Sequence, residues 1–172
     1  MTDAQEPTID PTLPEVVQNF LRSGATLEEI RLDEQGRWHH QGQRFDNPRL
    51  SDLFSRSVNR TEGGTWVLEI GPFTYPITVD DTGFFVRAVN WKASPPMLHL
   101  SDRSTEALEP ASLEYRAPGK LYCAVKDGRF RARFLRSAYH SIIPHLEQRD
   151  SSIVLAIDGQ EIHLGDIDSL DA

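Results

Sequence analysis

Apolar residues recur along the chain in short stretches, broken by clusters of glycine, proline and aspartate. Leu13, Val17, Phe20 and Leu21 fall at helical spacing behind Pro14, and Gly24 follows where a helix would end. IRLDEQGRWHH (30–40) reads as strand, turn, strand, with Gly36 as the permissive turn residue. DNPRLSDLFSRSV (46–58) is the clearest helix. Asp46 or Asn47 can cap it, Pro48 suits its first turn, and Leu50, Leu53, Phe54 and Val58 share one face. Trp66, Leu68 and Ile70 then alternate as a strand, and Tyr75, Ile77 and Val79 do so again after GPF. The turn DDTG leads into FFVRAVNWK. Connections this short predict antiparallel hairpins, because a parallel crossover needs a dozen residues or more.

Beyond ASPP (93–96), MLHLS, SLEYR and LYCAV read as strands, KDGR as a tight turn, and RFRARF alternates over six residues. LRSAYHSIIPHL is a helix that Pro144 should end near Ile143, and SIVLAI-DG-QEIHLG is a closing hairpin. The two halves echo each other. Gly36-Arg37-Trp38 and Gly128-Arg129-Phe130 each precede a strand, a helix and a strand pair, and TWVLEIG echoes SIVLAID. The expectation is an α+β protein of two related motifs, each of antiparallel strands plus a helix, produced by internal duplication. A flexible tail spans 1–12, the first helix and motif 13–92, and the second motif 93–172.

Composition narrows the function classes. The chain has 172 residues, 38% of them apolar and 26% charged, and a net charge of -8, which suits a globular protein and lacks the basic footprint of a duplex-binding one. No apolar run reaches the roughly 18 residues of a membrane span. The N-terminus has neither the positive start nor the apolar centre of a signal peptide. A lone cysteine, Cys123, forms no internal disulfide and excludes a cysteine-based zinc site, so a reducing, cytoplasmic home is expected.

The candidate chemistry is sparse. His39 and His40 are neighbours on a strand, so they point to opposite faces and cannot share a metal. No metal site, resident cofactor or catalytic set is expected: there is no phosphate-binding glycine loop and no nucleophile elbow. Asp80 and Asp81 end a strand at a turn. They are a carboxylate pair for acid–base work, as in a hydrolase, or simply good turn chemistry. Arg129, Arg131 and Arg133 share one face of RFRARF, with Phe130, Ala132 and Phe134 on the other. Such a ladder can grip a phosphorylated ligand, assisted by Lys120 or Arg103, or it can pair internally with carboxylates such as Glu114. Trp38, Trp66 and Trp91 are core anchors or a surface for stacking a base.

IRLDEQGRWHHQGQRFDNPRLSDLFSRSV, followed by WVLEI and ITVDDTGFF, resembles the bacterial family called domain of unknown function 1285. That family's pattern has a strand like Ile30–Asp33, a Gly-Trp turn as at Gly36–Trp38, and a His-x-Gly stretch as at His40–Gly42. It continues with a Leu-Phe helix centre as at Leu53-Phe54 and an acidic strand end as at Val79–Asp81. VKDGRFRARFLRSAYHSII extends the likeness, which spans residues 28–166. The family's Thr-Asn pair and His-Pro-Leu step are replaced here by LHLSDRSTEALEP. The resemblance implies two related motifs, the second superficially like a pleckstrin-homology domain. It also implies a pocket between them for a nucleotide-like ligand, and a role in signalling; the arginine ladder is what points to a small anion there. The expected ligand-binding set is Arg129, Arg131, Arg133, Trp38, His40, Asp80 and Asp81. The alternative to a small ligand is a protein partner.

Overall fold

Left-handed turn residues and one well-capped helix set the chain path of this α+β protein. The computed structural model describes residues 8–116 and 118–166. They fall into two compact units that divide between Asp81 and Thr82.

The first unit runs α1 (Glu15–Arg22), β1 (Ile30–Leu32), β2 (Trp38–His40), β3 (Gln43–Arg44), α2 (Pro48–Ser57), β4 (Val58–Arg60), β5 (Trp66–Ile70), β6 (Phe73–Pro76) and β7 (Thr78–Val79). Gly36, at φ +76°, makes the β1–β2 turn, and the Asp33 carboxylate accepts from the amides of Gln35 and Arg37. Of the two capping residues the sequence offers, Asn47 does the work: its side chain accepts from the amides of Arg49 and Leu50, worth about 1 kcal/mol. The helix ends earlier than its apolar spacing predicts, because Val58 already opens β4. β4, β5 and β6 form an antiparallel sheet, and the other sheet has the order β3-β2-β1-β7.

Two expectations change here. The alternation of Tyr75, Ile77 and Val79 suggests one strand, yet it is shared between two sheets. β6 pairs with β5, whereas β7 pairs with β1, in parallel. The long path through α2 and the β4–β6 sheet provides the crossover that a parallel pair requires. Residues 8–12, expected within the flexible tail, are also tied in. The Asp10 carboxylate accepts from the hydroxyls of Thr12, Thr61 and Thr65 at 2.6, 2.5 and 2.7 Å. The remainder of that tail, 1–7, lies outside the described residues.

The second unit contains β8 (Phe84–Asn90), β9 (Met97–Leu100), β10 (Thr105–Ala107), β11 (Glu114–Arg116), β12 (Lys120–Val125), β13 (Phe130–Phe134), α3 (Arg136–Ile142), β14 (Leu146–Arg149), β15 (Ser152–Ile157) and β16 (Gln160–Asp166). A six-stranded sheet has the order β10-β9-β8-β13-β12-β11, with β13 parallel to β8, and β14-β15-β16 form an antiparallel sheet. FFVRAVN thus belongs to this unit rather than to the first motif. ASPP, expected to separate the halves, is the loop of the β8–β9 hairpin. The reason is pairing: β8 lies between β9 and β13, so a boundary at 93–96 would split a sheet.

Pro144 ends α3 as expected, in a 3-10 turn over Ile143–His145. Asp158 and Gly159 both have positive φ, the pairing a two-residue hairpin turn demands. Both units contain one succession: a hairpin around Gly36 or Gly128, then a helix, then a three-stranded antiparallel sheet. Val67-Leu68 and Val154-Leu155 are the buried pairs of the two central strands.

Candidate functional site

In β13 the side chains alternate as the sequence requires. Phe130, Ala132 and Phe134 are buried on one face, and Arg131 and Arg133 lie on the other. Pairing with β12 sets Tyr122 opposite Arg133 and Ala124 opposite Arg131. Pairing of β12 with β11 sets Glu114 opposite Tyr122 and Arg116 opposite Lys120. Arg116, Lys120, Arg131 and Arg133 therefore occupy one face of three adjacent strands, and Glu114 is the acidic residue among them.

Arg131 and Arg116 both reach Glu114, at 3.2 and 2.8 Å, and their Cζ atoms lie 5.0 and 5.5 Å from the centroid of the Tyr122 ring. The Arg116 guanidinium, with Arg131 adding to it, holds Glu114 below the usual carboxylate range against the opposing effect of burial. Two arginines beside one aromatic ring, sharing a carboxylate, bring together donor groups suited to a phosphate or carboxylate. Arg129 departs from this arrangement. It precedes β13, and its Cζ lies 5.2 Å from the ring centroid of Phe130, a side chain of the opposite face.

Trp38, His40, Asp80 and Asp81 belong to the first unit. Trp38 is only 2% exposed. Its Nε1 donates to Ser55 Oγ at 3.1 Å and its ring meets Phe54 edge-on at 5.4 Å, so it anchors α2 to the sheet and offers no open face for stacking. His40 Nε2 lies 2.8 Å from Glu28 Oε2, and His39 Nε2 lies 2.8 Å from Asp33 Oδ2. The two imidazoles point to opposite faces, as strand geometry requires. Burial acts to raise Asp33, but His39 and the amides of Arg37 and Gln35 outweigh it and hold the carboxyl below its ordinary range.

Asp80 accepts from Arg31 Nη1 at 2.5 Å. Arg31 stands directly opposite His39, which stands opposite Arg44, so three basic side chains cross the β3-β2-β1 strands in a row. Each has its own partner, in Asp80, Asp33 and Asp46. Among the described residues no group of three or more His, Cys, Asp or Glu side chains could hold a metal ion. No described helix is long and apolar enough to cross a membrane.

Sequence reasoning passed over Arg31 and Arg116. Arg116 sits at the end of a three-residue strand whose register cannot be read from SLEYR alone, although its alternation with Glu114 was a signal.

No family model matches the sequence, and no curated protein matches it either. Two solved structures share its fold. One is a DUF1285 family protein from Silicibacter pomeroyi DSS-3, 20% identical, with 84% of each chain covered and a TM-score of 0.63. The other is a DUF1285 family protein from Shewanella baltica OS155, 11% identical, covering 69% of this chain and 92% of that one, with a TM-score of 0.54. The chain is thus an α+β protein with the fold seen in these two bacterial proteins. The likeness that residues 28–166 carry in sequence is met at the level of the fold.

Proposed function

We propose that the protein is a non-enzymatic module that binds a small anionic ligand, of the nucleotide or phosphorylated-metabolite type, on the cationic face of β11–β13. The carrying observation is the register that gathers Arg116, Lys120, Arg131 and Arg133 around Glu114 and Tyr122, in a chain of net charge -8. Such a face focuses an anion that the rest of the surface repels. Both guanidiniums lie within 5.5 Å of the Tyr122 ring centroid, and their planar forks match phosphate oxygens. The nucleotide character of the ligand and a part in signalling rest on the family likeness, and a cytoplasmic setting on the lone cysteine.

A thermal-shift panel of nucleotides and phosphometabolites tests this reading. At least one compound should raise the Tm, and Arg131→Ala should reduce that rise. A flat panel, or a shift that Arg131→Ala leaves intact, would refute it. A hydrolase centred on Asp80 and Asp81 has less support, because Asp80 is committed to Arg31. The rival reading, a protein-interaction module, draws on an apolar groove in the first unit.

A further inference from the structure

α1 has eight residues and none of them is buried. A helix this short has little stability alone, so what holds it lies before it. Leu13 is buried, and three residues earlier the Asp10 carboxylate is clasped by Thr12, Thr61 and Thr65. The amide of Gly63 donates to Thr12 Oγ1 at 2.8 Å. Gly63 admits this approach because it lacks a side chain: a Cβ there would lie 2.0 Å from Asp10 Oδ1.

The clasp sets α1 beside β6 and leaves an apolar groove of about 210 Å³ between them. Val16, Phe20, Leu27, Phe73, Tyr75 and Pro76 are among the residues that line it. Val16 and Phe73 are 75% exposed and Phe20 43%. Open apolar side chains grouped in this way mark an interaction surface.

Two features choose the occupant. The first is charge. A polar hollow of about 440 Å³ adjoins the groove, sharing Pro14 and Thr74 with it, and is lined by Glu62, Glu69 and Arg60. Glu15 precedes Val16, and Glu28 and Glu29 follow Leu27. Of these five acidic groups Glu28 pairs with His40 at 2.8 Å and Glu69 accepts from Asn59 Nδ2 at 3.0 Å; beside them stand two arginines, Arg60, whose guanidinium carbon lies 5.1 Å from the Trp66 ring centroid, and Arg22, which donates to Gln18 and Asn19. The surroundings favour a cation.

The second feature is the outer edge of β6. Ile77 N donates to the Trp66 carbonyl, which turns the amides of Phe73 and Tyr75 towards β5 and leaves Thr74 and Pro76 facing outwards. Pro72 and Pro76 have no N–H, so an added strand would find a single donor, at Thr74. A partner must therefore enter by its side chains rather than by extending the sheet.

We propose that this groove is a docking site for a protein segment that places an apolar side chain among Val16, Phe20 and Phe73 and a neighbouring lysine or arginine near Glu62 and Glu69. The Asp10 clasp assembles the site by holding α1 in place. The site lies in the first unit and is independent of the anion-binding reading of the second.

Fluorescence anisotropy with three labelled peptides tests it: one alternating leucine and lysine, one leucine and glutamate, one serine and lysine. The full chain should bind the leucine–lysine peptide saturably and discriminate against the other two. Phe73→Ser should weaken binding about tenfold. It alters an exposed side chain, so an unchanged Tm would show the fold intact. Gly63→Ala, and independently Asp10→Asn, should lower affinity and speed amide exchange in α1. Arg131→Ala should leave peptide binding untouched. Equal binding of the leucine–glutamate peptide, indifference to Phe73→Ser, or no saturable binding would overturn the proposal. So would a concentration-dependent dimer that Phe73→Ser dissociates, since a second copy would then be the occupant.

Discussion

Arg131 donates to Glu114 across 3.2 Å while its guanidinium carbon lies 5.0 Å from the centroid of the Tyr122 ring, so one side chain joins three strands of the larger sheet. The arginine and the glutamate are 42% and 43% exposed. Water and salt screen such a pair, and exposed ion pairs are worth about 0–1 kcal/mol. Arg131→Ala should therefore change denaturant stability by less than about 1 kcal/mol while impairing ligand binding. A much larger loss of stability would identify Arg131 as a structural residue and weaken its functional assignment.

The Asp10 clasp should withstand mild acid. Hydrogen bonds from Thr12, then Thr61 and Thr65, hold its carboxyl far below the ordinary range, outweighing the opposing effect of burial. A depressed folded-state pKa contributes stability that is complete above the unfolded value near 3.8 and is lost only as pH falls through the folded one. Amide exchange in α1, corrected for intrinsic rates, should thus stay constant between about pH 7 and 5 and rise only in strong acid. In Asp10→Asn it should be fast throughout. Opening of the helix near pH 6 would contradict this assignment.

Trp38 and Ser55 should be energetically coupled. Trp38→Ala empties a buried site and should cost about 3–5 kcal/mol. Ser55→Ala leaves the buried indole N–H without its acceptor and should cost about 1–3 kcal/mol. Urea unfolding of Trp38→Phe, of Ser55→Ala and of Trp38→Phe/Ser55→Ala would measure the coupling. Strict additivity would show that the 3.1 Å contact carries no stability.

Cys123 lies buried in β12, and burial pushes its thiol up to about 12. The thiolate is the reactive form, so a thiol-specific reagent at neutral pH should leave the folded protein unlabelled and modify it fully in denaturant. Rapid labelling of the native state would mean that β12 opens readily, which its pairing on both sides, with β13 and β11, argues against.

The parts of this fold that could be read in sequence are those set by local chemistry. Asn47 ahead of Pro48, Gly36 and Gly128 in left-handed turns, and Asp158-Gly159 between alternating strands each fix a few residues of backbone by their own stereochemistry. The parts that could not be read depend on distant partners. β3, with two residues, and β4 and β10, with three each, are too short to show a period. The parallel pairs β1 with β7 and β8 with β13 join segments far apart in the chain. The arginine face was half legible. Alternation placed Arg131 and Arg133 together, but only strand register brings in Arg116, and only the turn geometry removes Arg129. The groove was hidden because Phe20 reads as part of a buried helical stripe and Phe73 as part of a turn, and no local signal announces that both stay open to water.

Pro72 and Pro76 bear on how such a flank survives at high protein concentration. Oily surface beside an unguarded strand invites copies of a protein to lock together along their backbones, each collision extending a ladder. With donors missing at both ends of β6, encounters there remain brief and reversible. The chain can keep the sticky patch uncovered for a visitor without seeding fibres of itself.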